Sequence, residues 1–259
     1  HVSTALALVD AGLGLTIVPS LALRAAGPDG LRMLPLRNPG VSRQIGIVSK
    51  RSAPRSPLAD ELRKLIVQEF AREAQAKGIG ASTISALMAT NYAQATINAD
   101  RGQRSFNLSL DQFLAKRGAT TIVAKGRQLK ASQGALFASI QSRYGVPPGP
   151  LLAIWGMETG FGSQRGNQNM LASIATLAYD CRRSEYFTEH LYAALQLIDR
   201  GALSAAQRGS MHGEVGQTQF MPKAILAYGT GNLENSANAL NSTANFLKAH
   251  GWRAGAGYQ

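Results

Sequence analysis

The chain has 259 residues, of which 45% are hydrophobic and 16% are charged, a composition typical of a globular protein with a sizeable core. No apolar run approaches the ~20 residues of a membrane-spanning helix, and a single cysteine, Cys181, excludes a framework of internal disulfide bonds. The net charge of +12 is typical of a protein with a polyanionic partner or surface, for which nucleic acid, anionic lipid and acidic cell-wall polymers all qualify; an ordinary solvated basic surface is the alternative. Nucleic acid is disfavoured, since neither a helix-turn-helix with a basic recognition helix nor an RNA-binding aromatic signature occurs.

Residues 1–66 alternate short helical and strand-like segments. A helix is predicted over residues 4–10, and the apolar segments LTIVPS, RMLPL and QIGIVSK have the length of strands between turns with Pro and Gly. The order of these elements and the phrase LVDAGLGLTIVPSLAL resemble the closing part of the effector-binding domain of LysR-type transcription regulators. The resemblance implies a partial α/β fragment over residues 1–66, without the winged helix that binds DNA in such regulators. A generic α/β fragment is the alternative.

A long amphipathic helix is predicted from about Pro57, in the segment SPLADELRKLIVQEFAREAQAKGIG. Its first half suits the last helix of the regulator domain, and its second half suits the helical region that follows. We therefore expect the join within residues 62–74, with one domain at residues 1–66 and the other at residues 67–259. A gene rearrangement or a misassembled reading frame would each produce this order.

From residue 79 onward the pattern is helical. A long helix is predicted over residues 121–144, and a last one over residues 241–250. Ser109 has the residue type expected at a helix start. Further segments with apolar residues three and four positions apart are ASTISALMA, LSLDQFLAK and the stretches around Leu151, Leu171, Tyr186 and Ala237. No strand-rich region appears, which favours a mainly α fold for this domain.

The segment LLAIWGMETGFG contains the most distinctive acidic residue. Glu158 falls on the same helical stripe as Leu151 and Trp155, so its carboxylate points toward the core. The glycines at 160 and 162 indicate that the helix ends within a turn of Glu158, which predicts a half-buried carboxyl group at a rim. Burial raises the pKa of such a group toward the range of a general acid. The alternative is a structural glutamate neutralised by Arg182 or Arg183.

Two polar motifs follow along the chain. YDCRRSEYF places Arg182, Arg183 and Tyr186 within one helical turn, where an arginine binds carboxylate or acetyl oxygens and a tyrosine stacks on a sugar face. A solvated helix face is the alternative for the two arginines. GSMHGEVGQTQFMP combines glycines, which let a ligand approach the backbone, with hydroxyl and amide groups that suit sugar hydroxyl and N-acetyl groups.

Four segments, in this order, resemble the lytic murein transglycosylase B family of bacterial cell-wall enzymes: RYGVPPGPLLAIWGMETGFG, LASIATLAYDCRRSEYF, GSMHGEVGQTQFMP and ANALNSTANFLKAHGWR. The resemblance covers residues 70–259 and implies a lysozyme-like helical transglycosylase domain that is incomplete at its C-terminus. It implies that Glu158 is the catalytic residue. The substrate-binding residues that it implies are Arg183, Tyr186, Ser210, Gln217, Gln219 and Phe220, with Phe220 packed beneath the others.

Several other candidates are set aside. Glu214 is interpreted as a surface or structural residue, because the family is not known to need a second carboxylate. His190, His212 and His250 lack the spacing of metal ligands, and no G-x-S-x-G motif occurs. The segment YGTGNLEN has one acidic residue where some members have a calcium-loop-like stretch. Neither a metal nor a cofactor is therefore expected.

The resemblance implies cleavage of the β-1,4 bond between N-acetylmuramic acid and N-acetylglucosamine in peptidoglycan, with formation of a 1,6-anhydro ring. Glu158 would act first as acid and then as base, and the N-acetyl group of the substrate would replace a second carboxylate. The alternatives are a non-catalytic peptidoglycan-binding module and a regulator fragment that binds a small effector. A monomer in the periplasm is expected, although the first residues, HVSTALALVDAG, lack the features of a signal peptide.

Overall fold

The molecule is described here by a computed structural model, and the chain divides by its backbone contacts into two units, His1–Ile45 and Gly46–Gln259. The elements predicted in residues 1–56, and Cys181, lie outside the described residues. All helices named below belong to the second unit. Besides the isolated positions 9 and 11, the described residues are 57–102, with only the backbone of 57–60, then 108–180 and 182–256.

Within these described ranges the chain forms eleven helices and one short β-ribbon. The helices are α1 (Pro57–Ala76), α2 (Ala81–Met88), α3 (Gln94–Arg101), α4 (Leu110–Arg117), α5 (Ala119–Ser132), α6 (Gly134–Tyr144), α7 (Pro148–Thr159), α8 (Met170–Tyr179), α9 (Ser184–Asp199), α10 (Pro222–Tyr228) and α11 (Ser236–Ala249). The ribbon strands β1 (Gln168–Asn169) and β2 (Arg208–Gly209) are antiparallel, with Gln168 opposite Gly209. The predicted mainly α class is confirmed. No helix in the described part of the chain has both the length and the apolarity to cross a membrane.

Local sequence accounts for the helix ends, and corrects two predictions. The Ser109 side chain and the Gln112 side chain each accept a hydrogen bond from the other's backbone N–H, a capping box that starts α4 as predicted. The single helix predicted over residues 121–144 is in fact two, because Gln133 leaves the helical conformation just before a glycine. The last helix begins at 236 instead of 241, since Asn235 caps it.

Two hydrophobic clusters build the helical unit. The first surrounds α8, whose sequence is apolar on all sides and which packs along α9. The second lies between α6, α7 and α11, and includes Phe137, Leu151, Trp155 and Leu240. The loop of residues 209–220 contributes buried side chains to the first cluster and forms hydrogen bonds with α7, so the end of α7 is attached to a loop that packs in the first cluster.

Candidate active site

Glu158 lies in the last turn of α7, one residue before the helix ends. Pro148 occupies the first turn, and Gly160 ends the helix in the left-handed conformation with φ 56°, as predicted. Leu151 and Trp155 on the same stripe are buried, whereas the Glu158 side chain as a whole is exposed and only its carboxyl end is partly shielded from water. Glu158, the last residue of the stripe, lies outside the core because α7 ends there and the chain turns away.

The carboxyl group of Glu158 nevertheless has a pKa above its ordinary value. Partial desolvation of the carboxyl end is the largest cause, the charge of Glu214 adds to it, and Arg117 at the end of α4 opposes it. The residue also lies at the negative end of the dipole of α7, which acts in the same direction. None of the described residues forms a hydrogen bond or ion pair with this carboxyl group. The direction predicted from the sequence is confirmed, and it favours the protonated form that a general acid needs.

Arg182 and Arg183 do not neutralise Glu158, which was the alternative interpretation of the sequence. Both bind Asp100, a carboxylate buried at the C-terminal end of α3: Arg182 Nη1 lies 2.6 Å from Oδ2, and Arg183 Nη2 contacts Oδ1. The arginine motif is therefore fastened to α3 by charge pairs. The Arg183 side chain is still 36% exposed, and its contact with a ligand stays a prediction.

Tyr186 lies in the first turn of α9 and is 49% exposed, unusually open for an aromatic residue. Its ring packs edge-on against Phe187 and His190, with centroids 5.0 and 4.5 Å apart. The ring is thereby fixed on one side and open on the other. This suits stacking on a sugar, and the contact itself stays a prediction.

Gln217 ties the third motif to the helix that carries Glu158. Its side-chain oxygen accepts a hydrogen bond from Trp155 Nε1 at 2.9 Å, and its side-chain nitrogen donates to the Glu234 carbonyl at 3.0 Å. The Thr159 hydroxyl donates to its backbone carbonyl at 2.6 Å. A Cβ on Gly162 would collide with the same amide, so Gly162 must remain a glycine. Gln217 thus has a positioning role, and the predicted substrate contact is not tested by these bonds.

Ser210 and Glu214 form a closed turn. The Ser210 hydroxyl accepts from the backbone N–H groups of His212 and Glu214, both at 3.1 Å, and donates to Glu214 Oε2 at 2.8 Å. Its observed partner is thus Glu214, and the substrate contact that the resemblance implied for Ser210 stays a prediction. The influence of Glu214 on Glu158 was not foreseen from the sequence, because the spacing of 56 residues contains no periodic signal.

Gln219 and Phe220 close the loop. Gln219 has φ 54°, which is uncommon for a residue with a side chain, and its amide nitrogen donates to the Gly216 carbonyl at 2.8 Å. Phe220 is buried beneath the loop against Phe246, as expected, and its backbone pairs with that of Val215. A strained residue held by its surroundings is a common feature of functional sites, which supports Gln219 as a candidate.

The histidines have separate environments. His190 is buried, and its pKa is lowered to about 4 by desolvation and by Lys223, against the effect of Glu189. His212 Nε2 lies 3.7 Å from Asp100 Oδ1, and His250 stacks on Phe246. No group of three or more His, Cys, Asp or Glu residues that could hold a metal ion occurs among the residues whose positions are described.

The sequence profile of the family described as Transglycosylase SLT domain matches residues 63–259. The chain belongs to the transglycosylase SLT domain family. A second profile, LysR substrate binding domain, matches residues 1–71, so both resemblances predicted from the sequence are confirmed. The two matches overlap within α1.

The chain is similar in sequence to a curated relative and in fold to solved structures of lytic transglycosylases. Membrane-bound lytic murein transglycosylase B of Escherichia coli strain K12 is 38% identical over 121 residues, 43% of this chain and 34% of that protein. SltB3 from Pseudomonas aeruginosa, in complex with NAG-NAM-pentapeptide, matches with a TM-score of 0.70 and 34% identity over 75% of this chain and 55% of that one. Escherichia coli Slt35 in complex with bulgecin A has a TM-score of 0.62 and 25% identity, over 73% and 64%. The predicted lysozyme-like helical domain is thus confirmed.

The chain spans about a third of this first relative and little more than half of SltB3. Its N-terminal part is similar to the uncharacterized HTH-type transcriptional regulator YbhD of Escherichia coli strain K12, with 37% identity over 67 residues, 26% of this chain and 21% of that protein.

Proposed function

We propose that this chain is a lytic transglycosylase that cleaves the β-1,4 bond between N-acetylmuramic acid and N-acetylglucosamine in peptidoglycan and leaves 1,6-anhydromuramic acid ends. The observation that carries the proposal is Glu158: an accessible carboxyl group at a helix end, with a raised pKa and without a protein partner among the described residues. Family membership and the likeness to SltB3, whose structure holds a NAG-NAM-pentapeptide, support the substrate class.

In the first step Glu158, protonated, donates its proton to the glycosidic oxygen as the bond breaks. Its raised pKa increases the protonated fraction near neutral pH, and a general acid of this kind contributes roughly 10²- to 10⁴-fold in rate. The N-acetyl oxygen of the substrate would stabilise the positive charge that develops at the anomeric carbon. This substrate assistance replaces the second carboxylate of ordinary glycosidases.

In the second step Glu158, now ionised, accepts the proton of the sugar's own 6-hydroxyl group, whose oxygen attacks the anomeric carbon and closes the 1,6-anhydro ring. The proton that Glu158 lost is thereby returned, and no water is consumed. Since the acid and the base are one residue, a single accessible carboxyl group suffices for both steps.

The remaining predicted residues would hold the glycan in place. Tyr186 offers an open ring face for a sugar, Arg183 a partly exposed side chain, and Gln219 a side-chain oxygen, while Gln217 fixes the loop itself. Phe220 would support this surface from below without touching the ligand. The net charge of +12 would favour approach to an acidic wall polymer.

We further propose that residues 1–66 and 67–259 are separate domains, with the join inside the region where the two family matches overlap. The helical domain would act as a monomer in the cell envelope, where peptidoglycan lies. The N-terminal part would take no part in the reaction.

The test is to incubate the purified chain with insoluble peptidoglycan and to identify the released products by mass spectrometry. Products about 18 Da lighter than those of hydrolysis indicate ring closure by the 6-hydroxyl group. Glu158→Gln, which keeps the shape of the side chain, is expected to abolish release, and Glu69→Gln, on the exposed face of α1, to retain it.

Release of hydrolytic products, or full activity of Glu158→Gln, would overturn the proposal. Wall binding without any products from the wild type would indicate the second candidate, a peptidoglycan-binding module. Binding of neither wall nor glycan would leave the resemblance to an effector-binding domain as the guide to function.

A further inference from the structure

A pocket of about 460 Å³ opens beside the β-ribbon, and the proposed mechanism gives it no role. We call it the ribbon pocket; its lining includes Arg165, Gly166, Ser204, Gln207, Arg208 and Glu234. A Cβ on Gly166 would lie 2.1 Å from the Gly209 carbonyl oxygen, so the wall is tightly packed on its ribbon side. The volume falls within the ~300–1,000 Å³ typical of ligand sites, which is far more than a single small ion needs.

The ribbon pocket carries a positive charge. Its ionisable side chains are two cations, Arg165 and Arg208, and one anion, Glu234, which leaves a net charge of +1. Both oxygens of Glu234 are engaged within the wall, because Arg165 Nη1 lies 2.6 Å from Oε2 and Gln207 Nε2 donates to Oε1 at 2.9 Å. The glutamate therefore neutralises Arg165, and the surplus positive charge is that of Arg208.

Two side chains of the pocket have donors to offer a ligand. Among the described residues, the exposed Arg208 uses one nitrogen, Nη1, which donates to the Asn167 carbonyl at 2.6 Å. Ser204 Oγ accepts from the Ala206 N–H at 3.1 Å, so its hydroxyl hydrogen is left to donate. A guanidinium group binds carboxylate and phosphate oxygens through paired N–H groups. A carboxylate matches the single surplus charge better than a phosphate monoester, which carries nearly two negative charges.

The ribbon pocket shares its wall with the loop of residues 209–220, which is attached to α7. The Arg165 carbonyl accepts from Gln219 Nε2 at 3.4 Å, and the Glu234 carbonyl accepts from Gln217 Nε2 at 3.0 Å. Two residues of the pocket are thus bonded through their backbone to two residues of the candidate active site. A ligand that occupies this site can therefore extend a side branch into the ribbon pocket.

We propose that the ribbon pocket binds a carboxylate of the peptide that branches from the glycan strand, with Arg208 as its main donor and Ser204 as the second. The inference rests on the proposed function, because it names a further part of the same substrate. A peptide branch accounts for a volume much larger than a lone carboxylate requires. A free small carboxylate has the same chemistry, and the experiment separates the two sources.

The experiment is isothermal titration calorimetry of the full chain with three soluble probes: NAG-NAM-pentapeptide, the same disaccharide without peptide, and the free pentapeptide. The disaccharide lacks the bond that is cleaved, so binding is measured without turnover. Arg208→Gln is expected to weaken binding of the glycopeptide ~5- to 10-fold, the effect of one partly screened charged hydrogen bond, and to leave binding of the bare disaccharide unchanged. Arg208→Lys, which keeps the charge without the paired N–H groups, should recover part of the loss. Arg72→Gln, an exposed arginine paired on α1, is the matched control and should bind all probes as the wild type does.

Unchanged affinity for the glycopeptide in a folded Arg208→Gln protein would overturn the inference. An equal loss for the bare disaccharide would do so too, because the effect would not belong to the peptide. Equal affinity of the wild type for the free pentapeptide and the glycopeptide would replace the peptide branch by a free carboxylate as the ligand. If Arg208→Gln fails to fold, Ser204→Ala takes its place, with an expected loss of ~3-fold for the glycopeptide alone; no loss there would contradict the proposal.

The rate of peptidoglycan release gives an independent measurement. With intact peptidoglycan, Arg208→Gln should raise KM ~5- to 10-fold and leave kcat unchanged, whereas with glycan strands stripped of peptide both constants should equal those of the wild type. A change of kcat on stripped strands would contradict a role confined to the peptide. Binding of the glycopeptide through Arg208 without any released products would overturn the proposed reaction and leave the pocket assignment in place. Release of anhydro products without any effect of Arg208 would do the reverse.

Discussion

Asp100 and Glu158 are both acidic residues near the C-terminal end of a helix, and they are treated in opposite ways. Asp100 is 1% exposed and is bound by two arginines, with His212 close by. Glu158 is exposed, and no residue of the described chain pairs with it. A negative charge at a helix C-terminus is unfavourable in both places, so the pairing of Asp100 relieves a cost that remains at Glu158.

The difference shows how a structural carboxylate is distinguished from a candidate catalytic one. A buried charge without partners is strongly destabilising, so a charge retained for structure is paired, as Asp100 is. A catalytic acid needs the proton that pairing would remove, so it must be left without a cation and partly shielded from water. Arg182 and Arg183, which the sequence offered as possible partners of Glu158, accordingly bind Asp100.

The largest expected effect is on the Asp100 cluster. Asp100→Asn should leave Arg182 and Arg183 beside a neutral group, and we expect it to lower the free energy of unfolding by ~2–4 kcal/mol, because the carboxylate is buried and both partners lose their pair. Urea unfolding followed by the fluorescence of Trp155 and Trp252 measures this. Glu69→Gln, which breaks the exposed pair with Arg72, should not move the midpoint. Equal midpoints for both variants would mean that Asp100 does not anchor the motif.

His190 is a buried basic residue whose lowered pKa makes the stability of the protein depend on pH. Its pKa is lowered to about 4, so the neutral form is favoured in the folded protein, and its Nδ1 accepts a hydrogen bond from Lys223 N–H at 3.3 Å. The unfolded chain takes up a proton near pH 6.5 and the folded one near pH 4. The contribution of neutral His190 to the free energy of unfolding is therefore complete above pH 6.5 and is lost as the pH falls toward 4.

Between pH 6.5 and pH 4, the expected loss of unfolding free energy due to His190 is on the order of 2 kcal/mol. Urea unfolding at pH 7, 5.5 and 4.5 should show a steeper decline for the wild type than for His190→Gln, which has no charge to gain. Parallel curves for the two proteins would contradict the role of His190.

The sequence predicted those parts of the fold and the site that depend on local pattern. Apolar spacing placed α1, α2 and α4, and Gly160 placed the end of α7, because these are determined within one or two helical turns. The break at Gln133 was missed, since apolar residues continue at helical spacing on both sides of it.

The partners of the charged groups were not predictable, because they depend on tertiary contacts. Asp100 meets Arg183 across 83 positions, and Gln217 meets Trp155 across 62. The motif suggested that Gln217 binds a ligand, which stays a prediction, and it gave no sign that the amide also binds Trp155 and the Glu234 carbonyl. An amide placed near a ligand and an amide that holds a loop have the same sequence signature.

Breaking the attachment of the loop of residues 209–220 to α7 is expected to lower the free energy of unfolding by an intermediate amount. Thr159→Val keeps the shape of a buried residue and removes the hydroxyl that donates to the Gln217 carbonyl at 2.6 Å and accepts from Gly162 N–H at 2.9 Å. We expect a loss of ~1–2 kcal/mol in unfolding free energy and a matching fall in peptidoglycan release, because the loop moves relative to Glu158. Thr90→Val, whose hydroxyl bonds only within its own turn at the Leu87 carbonyl, is the matched control. A similar fall in release for Thr90→Val would show that the attachment has no special role.

The smallest expected effect is that of Glu158→Gln on the free energy of unfolding. It is informative because its sign is opposite to that of Asp100→Asn. The pKa of Glu158 is raised in the folded protein, so ionisation opposes folding, and the stability present below the unfolded pKa is lost as the pH rises through the folded pKa. Glu158→Gln should therefore be slightly more stable than the wild type at pH 7, by no more than a few tenths of a kcal/mol because the residue is exposed and screened, and equal to it at pH 4. Asp100→Asn makes the same chemical change and should destabilise at pH 7. Urea unfolding of both variants at the two pH values decides this, and destabilisation by both at pH 7 would mean that Glu158, too, is held by the protein as a charge.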